Sequence, residues 1–444
     1  MNIKDKKSIL IIILVSYFVI LLDNSIVFTS TVKIARDLNL TQSHLSWVSN
    51  AYAITFGGFL LLGGKLGDLL NRKNVFLIGL MIFGIASLAV GLSQSGLMLI
   101  FSRAIQGIGS AILAPATLAL ILDNFEGRAR NRVIGYYGAT AGIGASIGLV
   151  IGGFFAQILS WRYGFYINLP ITLLLMFLTI KYLPNNSREK GKIDFIGAIT
   201  SVISMTLLTY SLVGENYRLI AFVLSLLIFI YFIYIESKLN YALMPLELFK
   251  DKTRIAGYAG RFFYMCAMFS FWFLTPQIMQ KLLGFSPLQA GLGFIPLTII
   301  NFIVALKAVD LAEKFGLKKV LLMGVLLTVF GMGYMIFFND MLGYWLGISI
   351  PMCFLGVGQG LVMSLITSVG VSNTKGPLSG AASGVINTLH QLGGSLGLAV
   401  VIAIASQSKS FVGYYHIAMI ITTVFLTISF ILCSLLIKIK HLER

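Results

Sequence analysis

One carboxylate in this chain stands in the middle of a long apolar stretch. Asp23 lies within residues 8–31, which read SILIIILVSYFVILLDNSIVFTST and form a run long enough to cross a bilayer as a helix. A carboxylate at that depth costs several kcal/mol unless it is protonated, paired or hydrated. Acidic residues in such positions are candidates for proton or cation coupling, and we expect this role for Asp23.

A basic residue is expected at the same depth as Asp23. Arg103 occurs in the apolar segment LIFSRAIQGIGSA, residues 99–111. Each residue lies about six positions from the same end of its span, which at ~1.5 Å per residue places both roughly 9 Å below one membrane boundary. We expect the two side chains to pair directly or through a water, the alternative being that Arg103 extends to the interface without a partner. For Arg261, near the other end of a later span, extension to the interface is the favoured interpretation.

The composition places the chain in the membrane. Of its 444 residues 57% are hydrophobic and 11% charged, and the mean hydropathy is +0.91, which soluble domains do not reach. The formal net charge of +17 does not indicate a nucleic-acid partner, because no basic stretch is mixed with exposed aromatic residues. Cys266, Cys353 and Cys433 fall in apolar spans without metal-ligand spacing, so neither a metal site nor a disulfide is predicted.

The elements that must position Asp23 and Arg103 are membrane-spanning helices. A span needs ~20 apolar residues, and the sequence contains fourteen such runs. The segments between them are too short for a soluble catalytic domain, so no enzyme and no catalytic residue is predicted. The predicted spans lie at about 9–29, 47–64, 75–94, 97–121, 133–157, 163–183, 193–213, 218–236, 256–279, 288–309, 319–338, 343–369, 380–406 and 414–437.

The basic residues predict the orientation of these spans. Segments on the side of the N-terminus hold 25 Lys and Arg residues and the opposite segments hold 6, while Arg103 and Arg261 lie inside spans and complete the total of 33. Short loops rich in Lys and Arg stay in the cytoplasm. We therefore predict a multi-pass protein of the bacterial cytoplasmic membrane with both termini in the cytoplasm.

The spans divide into six, two and six. Polar linkers at 183–194 and 236–254 flank the two middle helices, and each set of six has a charged loop between its second and third helices. The two loops favour an internal repeat. We predict an N-terminal six-helix bundle over 1–183, two additional helices with linkers over 184–250, and a C-terminal six-helix bundle over 251–444.

The first charged loop carries a signature. It reads GKLGDLLNRK, residues 64–73, and resembles the loop motif G-x-L-x-D-[RK]-x-G-[RK]-[RK] of the major facilitator superfamily. The resemblance implies that Gly64 allows close helix approach and that Arg72 and Lys73 anchor the loop at the inner surface. It also implies that Asp68, with Arg72, ties the inner ends of the two bundles together at helix termini.

Two departures from the loop motif affect what is expected. Leu69 replaces the motif's first basic residue, so one expected charge contact is missing. Asn71 replaces the motif's second glycine and is the residue next best suited to a left-handed turn. In the second half, LAEKFGLK at 311–318 is a weaker copy that contains Glu313 and Lys314. A solvated charged loop without a specific role is the alternative for both copies.

The fifth span carries a glycine pattern. GASIGLVIGG, residues 144–153, resembles the antiporter motif G-x-x-x-G-P-x-x-G-G, although Leu149 stands where the motif has proline. Glycines four positions apart share one helix face and let another helix approach closely. A smooth packing face is therefore expected, and a generic helix-packing motif is the alternative. The glycines are Gly144, Gly148, Gly152 and Gly153.

Further segments indicate one branch of the superfamily. The fourth span resembles its arginine-bearing motif L-x-x-x-R-x-x-Q-G-x-G. WRYGFYINLP at 161–170 and LDNSIV at 22–27 resemble the 14-helix drug:proton antiporter branch, where a tryptophan–arginine pair precedes an Asn-x-Pro helix start. The thirteenth span also resembles this branch: it contains NTLHQLGGSLG at 387–397, with His390 where relatives often carry arginine. For His390, a buried, hydrogen-bonded histidine is favoured over a second proton carrier.

The resemblance implies a fold and a function. The fold is all-α and integral to the membrane: the major facilitator fold, with two six-helix bundles plus two extra linker helices. The implied function is proton-coupled antiport, in which lipophilic, mostly cationic or zwitterionic drugs are exported by alternating access. Asp23 and Arg103 would then take part in proton coupling. The alternative is proton-coupled transport of an endogenous amphiphile or metabolite with incidental drug export. No nucleotide-binding motif is present, so the proton gradient, rather than ATP or a cofactor, is expected to drive transport.

A broad apolar cavity is expected to receive the substrate. Its aromatic side chains would hold flat ligands by stacking and cation–π contact, worth ~0.5–2 kcal/mol each. The expected partners are lipophilic small molecules, protons and the lipid bilayer, and the protein is expected to be a monomer. Packing or lipid contact is the alternative for each candidate side chain. The candidates are Tyr52, Phe56, Gln106, Tyr264, Trp272, Phe273, Gln277, Asn301 and His390.

Overall fold

The structure is helical throughout its described parts. It is a computed structural model that describes residues 3–184, 193–239, 241–339, 341–374 and 377–437, and these residues contain no β-strand. Fourteen helical segments are long and apolar enough to cross a membrane. The predicted fold class and the predicted spans are confirmed, although several helices are longer than predicted.

Short connections join the helices. Two spans are interrupted: α6 and α7 form one, and α11 and α12 form another. Short 3-10 helices cover Leu246–Lys250 and Met335–Phe337, and a π-helix covers Trp345–Ser349. In chain order the α-helices are α1 (Ile3–Asp37), α2 (Gln42–Leu69), α3 (Arg72–Gly91), α4 (Gly96–Asn124), α5 (Gly127–Ile158), α6 (Tyr163–Tyr166), α7 (Asn168–Tyr182), α8 (Phe195–Val213), α9 (Arg218–Lys238), α10 (Lys252–Lys281), α11 (Pro287–Leu292), α12 (Ile295–Phe315), α13 (Leu317–Tyr334), α14 (Ile350–Gly370), α15 (Pro377–Ala405) and α16 (Phe411–Leu436).

Polar residues in the connections begin the next helix. Thr41, Ser95 and Ser286 each accept a hydrogen bond from a backbone N–H in the following first turn. Asp194 Oδ1 does the same for the backbone N–H of Gly197 (2.8 Å) at the start of α8. A helix leaves these first donors unpaired, so short polar loops are sufficient to end one span and begin another.

The helices pack into two groups with a pair between them. We call α1–α7 the N-terminal bundle and α10–α16 the C-terminal bundle, because the helices of each group pack against one another. α8 and α9 pack together, and α8 also contacts α2 and α15, one helix from each bundle. The domain boundaries at 183 and 250 stay a prediction.

Hydrogen bonds join the two bundles midway along α2, where Thr388 Oγ1 donates to the carbonyl of Gly57 (2.9 Å), and on one side of the molecule. We call the side on which α1 begins and α16 ends the terminal face, and the opposite side the distal face. Near the distal face, Gln280 Nε2 donates to the carbonyl of Thr29 (3.1 Å), and Gln42 Nε2 donates to Gln277 Oε1 (2.8 Å). The bundles are therefore tied together at their distal ends.

Candidate functional site

Asp23 is the centre of a buried polar network. Its Oδ2 accepts a hydrogen bond from Arg103 Nη1 at 2.6 Å, and its Oδ1 accepts one from Gln106 Nε2 at 2.8 Å and one from Asn168 Nδ2 at 2.7 Å. All four residues are fully buried. The structure therefore places Asp23 and Arg103 in a direct ion pair, and extension of Arg103 to the interface, the alternative from the sequence, is wrong.

Ser87 completes this group, which we call the Asp23 network: Asp23, Ser87, Arg103, Gln106 and Asn168. Ser87 Oγ accepts from Gln106 Nε2 (2.6 Å) and from Asn168 Nδ2 (3.2 Å). Arg103 Nη1 also donates to Gln106 Oε1 (2.6 Å). The five side chains come from α1, α3, α4 and α7, so the network connects four helices of the N-terminal bundle.

Tyr52 supports the arginine of the network. The Arg103 guanidinium lies 4.2 Å from the centroid of the Tyr52 ring, and Arg103 Nε donates to the carbonyl of Val48 (3.2 Å). The Tyr52 hydroxyl donates to Ser110 Oγ at 2.8 Å, and Phe56 packs edge-on against the Tyr52 ring. Tyr52 and Phe56 were predicted to line a cavity, but both are buried in packing around the ion pair.

Asp23 is the one residue of the Asp23 network that can gain or lose a proton, because arginine stays charged. Leaving one partner of a buried ion pair alone costs about 3–5 kcal/mol, so protonation of Asp23 and the position of Arg103 must be linked. Arg103 Nη2 and Asn168 Oδ1 are buried and have no hydrogen-bond partner in the described structure. These two atoms are a donor and an acceptor beside the ion pair, without a partner among the described residues.

Sequence reasoning missed part of the network. Gln106 was predicted to line the substrate cavity, but it is fully buried between Asp23 and Ser87. Asn168 was noted only as part of a helix-start motif, and Ser87 was not noted at all. The available signal was weak: each is a polar residue within an apolar span, as many packing residues are.

The tryptophan–arginine pair positions the start of α7. Trp161 is buried, and its Nε1 donates to Asp37 Oδ2 at the end of α1 (2.9 Å). Arg162 Nη2 donates to the carbonyl of Ser93 (2.9 Å), and Arg162 Nη1 lies 3.7 Å from the same Asp37 oxygen. The pair therefore attaches the connection before α7 to α1 and to the turn that follows α3, which places Asn168 opposite Asp23.

The glycine pattern of the fifth span packs α5 against α1 beside Asp23. A Cβ added at Gly148 would lie 2.7 Å from the carbonyl oxygen of Leu22, and one at Gly152 would lie 2.7 Å from that of Ile26. One added at Gly144 would lie 3.1 Å from Leu21 Cβ. The smooth packing face predicted from the sequence is present, and it presses on the residues that flank Asp23.

Two positions of the same motif have other contacts. Gly153 faces away from α1 and packs against the backbone of Pro287 and Leu288 in the C-terminal bundle. Leu149, in place of the motif's proline, leaves α5 continuous from Gly127 to Ile158, and its carbonyl accepts a hydrogen bond from Thr29 Oγ1 (3.1 Å). The motif thus contacts α1 on one side and the opposite bundle on the other.

In the first charged loop, Asn71 does not adopt the left-handed turn that its position suggested. Its φ is −66° and its ψ is 117°, and its side chain caps α3 by accepting from the backbone N–H of Lys73 (3.0 Å) and Asn74 (3.4 Å). Capping requires an extended backbone at this residue. The prediction was wrong because the helix terminus, rather than a turn, determines the conformation.

Replacing Asn71 by Ala should destabilise the protein by about 1 kcal/mol, because the cap is lost. The midpoint of thermal unfolding of the purified protein in detergent should fall accordingly. Asn71→Asp is the matched control and should stay close to the wild type. A gain in stability for Asn71→Gly would contradict this assignment, since glycine is favoured in a left-handed turn but not over asparagine as a cap.

The basic residues of the loop bind within the N-terminal bundle. Arg72 Nη1 forms an ion pair with Asp123 Oδ2 at the end of α4, and Lys73 Nζ donates to the carbonyl of Ile180 in α7 (2.8 Å). These contacts anchor α3 to its own bundle. The side chain of Asp68 lies outside the described residues, so the gate formed by Asp68 and Arg72 stays a prediction.

The close approach expected at Gly64 occurs one residue earlier. A Cβ added at Gly64 would make only an ordinary contact of 3.6 Å with Pro115 Cβ. A Cβ added at Gly63 would collide with the carbonyl of Ala111 and lie 3.0 Å from Ile112 Cα. The prediction for Gly64 was wrong because residues 63 and 64 lie on different sides of α2.

In the second charged loop, Glu313 and Lys314 are exposed, and Lys314 Nζ lies 5.3 Å from the centroid of the Phe315 ring. Gly316, between α12 and α13, has a φ of +93°, which few other residues adopt. Exposure is compatible with the solvated-loop alternative, and a gating role for Glu313 and Lys314 stays a prediction.

Arg261 and His390 contact each other in the C-terminal bundle. Arg261 is only 7% exposed; its Nε donates to His390 Nδ1 (3.1 Å) and its Nη1 to the carbonyl of Met363 (3.0 Å). The favoured interpretation of Arg261, extension to the interface, is therefore wrong. The guanidinium turns inward because α14 and α15 supply two acceptors there.

The predicted cavity residues do not come together as one site. Tyr264, Phe273 and Gln277 are fully buried in packing. Asn301 is half-buried on α12, and its carbonyl faces Gly360 of α14. Trp272 is half-buried, and its ring lies 6.0 Å from that of Phe269. A cavity of about 300 Å³ lies elsewhere, between α2, α8, α9 and α15, with a largely apolar lining.

Comparisons with known proteins agree with this architecture. A family model described as Major Facilitator Superfamily matches residues 13–398 and also residues 257–442. The cephamycin export protein CmcT of Amycolatopsis lactamdurans is 31% identical over 415 residues, which cover 90% of this chain and 85% of that protein. The multidrug transporter protein MdtP of Bacillus subtilis is 30% identical over 413 residues, which cover 90% and 76%.

A solved structure has the same fold. The crystal structure of a D-xylose–proton symporter matches with a TM-score of 0.72 at 14% identity, over 97% of this chain and 98% of that chain. The family model covers most of the sequence, and the relatives that match over most of their length are transporters. The protein is a multi-pass membrane transporter rather than an enzyme, and the chain belongs to the Major Facilitator Superfamily.

Proposed function

We propose that this protein is a proton-coupled antiporter that exports lipophilic, mostly cationic or zwitterionic compounds. The observation that carries the proposal is Asp23, a fully buried carboxylate whose hydrogen bonds all come from side chains of one bundle. A buried acid that can exchange a proton for a cationic group supplies obligatory exchange. Similarity to a cephamycin export protein supports export as the direction, and similarity to a multidrug transporter supports drug-like substrates.

The proposal includes an orientation. Lys and Arg are concentrated in segments on the terminal face, which supports a cytoplasmic location for that face and both termini. The hydrogen bonds from Gln280 and Gln42 across the bundles then close the outer side. On this reading the structure is the state that receives substrate from the cytoplasm, and rocking of the bundles exposes Asp23 to the outside.

The coupling follows from the network. With Asp23 ionised, Arg103, Gln106 and Asn168 all donate to its two oxygens. A proton on either oxygen replaces one of these bonds and removes the charge that holds Arg103, so the helices α4 and α7 are released from α1. A cationic substrate competes with the proton for the same carboxylate, because both cannot be held at once.

The test is transport in proteoliposomes with an acidic lumen. The membrane potential is clamped by valinomycin and potassium, and the substrate is tetraphenylphosphonium, whose permanent charge prevents passive trapping by pH. Protein-containing vesicles should accumulate the cation, and nigericin, which collapses the pH gradient, should stop this. Equal accumulation with and without nigericin would rule out proton coupling, and vesicles without protein set the background.

The proposal predicts a preference for single positive charges. A host that expresses the protein should tolerate higher concentrations of tetraphenylphosphonium and ethidium but not of dications such as pentamidine. The reason is that one carboxylate cannot stabilise two desolvated positive charges. Minimum inhibitory concentrations with and without expression give the measurement. An equal rise for dications would require a second acidic site and would contradict the proposed role of Asp23.

A further inference from the structure

Arg261 is a buried positive charge without a carboxylate partner in the described part of the chain. Among the described residues no carboxylate pairs with it; it donates to the ring of His390 and to the carbonyl of Met363, and its Nη2 donates to no described group. The hydroxyls of Tyr17 and Tyr264 are the nearby titratable groups. Arg103, in contrast, is matched by Asp23. Around these two sites, the described side chains therefore carry one more positive charge than negative charge.

His390 extends the same donor surface. Because Nδ1 accepts the hydrogen bond from Arg261, the neutral ring carries its proton on Nε2, a second donor next to the guanidinium. His390 is half-buried, whereas Arg261 is buried. An uncompensated buried guanidinium is costly, which makes an anionic group the ligand that this place is best suited to bind.

An aromatic group adjoins these donors. The His390 ring packs edge-on against Phe269, with centroids 6.3 Å apart, and Phe269 lies 6.0 Å from Trp272. Phe28, from α1 of the other bundle, lies 6.3 Å from Trp272. This aromatic group, formed by Phe28, Phe269 and Trp272, spans both bundles. Trp272, the half-buried member of the group, can stack on the flat apolar body of a ligand whose charged end reaches His390.

We propose that Arg261 and His390 bind the carboxylate of a lipophilic substrate, so that aromatic zwitterions are the preferred members of the exported class. One guanidinium with a neighbouring imidazole N–H matches a single planar carboxylate. A monovalent cation can engage only Asp23, whereas a zwitterion can engage both charged sites. The inference rests on the proposed export function for its physiological meaning, but the binding site is tested without transport.

The test compares two fluorescent probes that differ in one charge. Purified full-length protein in nanodiscs is titrated with dansylglycine and with the uncharged dansylglycinamide, and empty nanodiscs are subtracted. The wild type should bind the acid roughly 10-fold more tightly than the amide, equivalent to about 1.4 kcal/mol. Arg261→Gln should bring the ratio close to one, and Arg261→Lys should keep part of it. Lys409→Gln, which removes an exposed charge, should leave it unchanged.

Two results would overturn the inference: equal binding of both probes by the wild type, or an unchanged ratio in Arg261→Gln. Binding of dansylglycinamide by Arg261→Gln shows that the variant is folded. If Arg261→Gln does not bind dansylglycinamide, the test depends on Arg261→Lys, whose ratio of acid to amide affinity should lie between one and the wild-type value. Asp23→Asn should retain the wild-type ratio. If Asp23→Asn loses coupled transport but keeps the binding ratio, the two sites act independently. If the wild type transports by coupling but binds both probes equally, the proposed function stands and the carboxylate site is wrong.

Discussion

Replacing Asp23 by Asn should abolish transport driven by a pH gradient while folded protein remains in the membrane. Asparagine keeps the shape of the side chain, but it cannot carry a proton and has no charge to hold Arg103. The lost ion pair leaves Arg103 buried and unpaired, at a cost of about 3–5 kcal/mol. The double variant Asp23→Asn with Arg103→Gln removes both charges, so it separates loss of coupling from loss of stability.

The measurement is accumulation of tetraphenylphosphonium in vesicles with an acidic lumen, per amount of folded protein. Both the single and the double variant should give the background value. Glu215→Gln is the control, because it makes the same change from acid to amide at an exposed loop residue and should transport normally. Gradient-driven accumulation at the wild-type rate in Asp23→Asn would exclude Asp23 as the proton carrier.

The sequence predicted the Asp23–Arg103 pair because depth in a membrane can be counted along a helix. Each residue's distance from the end of its own apolar run places it along the membrane normal, and a lone charge at that depth needs a partner. The same logic found all fourteen spans, since hydropathy and length are sufficient to define them. These inferences require no knowledge of which helices are neighbours.

Where neighbours decide the result, sequence reasoning failed. Arg261 was expected to extend to the interface, but its acceptor His390 lies 129 residues away in α15, and depth alone does not reveal it. Asn168 binds Asp23 from 145 residues away. Gly63, rather than Gly64, faces α4, because the rotation of α2 about its axis depends on tertiary packing. In each case the sequence shows the depth of a residue along the membrane normal but not which helices lie beside it.

Replacing Gly148 by Val should abolish transport through packing alone. The added Cβ would lie 2.7 Å from the Leu22 carbonyl oxygen and from Ser25 Cβ, and 3.0 Å from Leu22 Cα. Two of these are backbone atoms of α1, which cannot rotate away as a side chain can. α5 must therefore move off α1 next to Asp23, at the cost of about 1–3 kcal/mol that overpacking typically brings.

Gly138→Val is the matched control, because it makes the same substitution in the same helix where an added Cβ meets nothing within 4 Å. Valine is the better helix former, so Gly138→Val should be as stable as the wild type or slightly more so, and should transport normally. Gly148→Val should show a lower unfolding midpoint and background transport, and Gly148→Ala should fall between. If Gly148→Val transported as well as Gly138→Val, close contact between α5 and α1 would not be needed to hold Asp23. The network would then be positioned by α3, α4 and α7 alone.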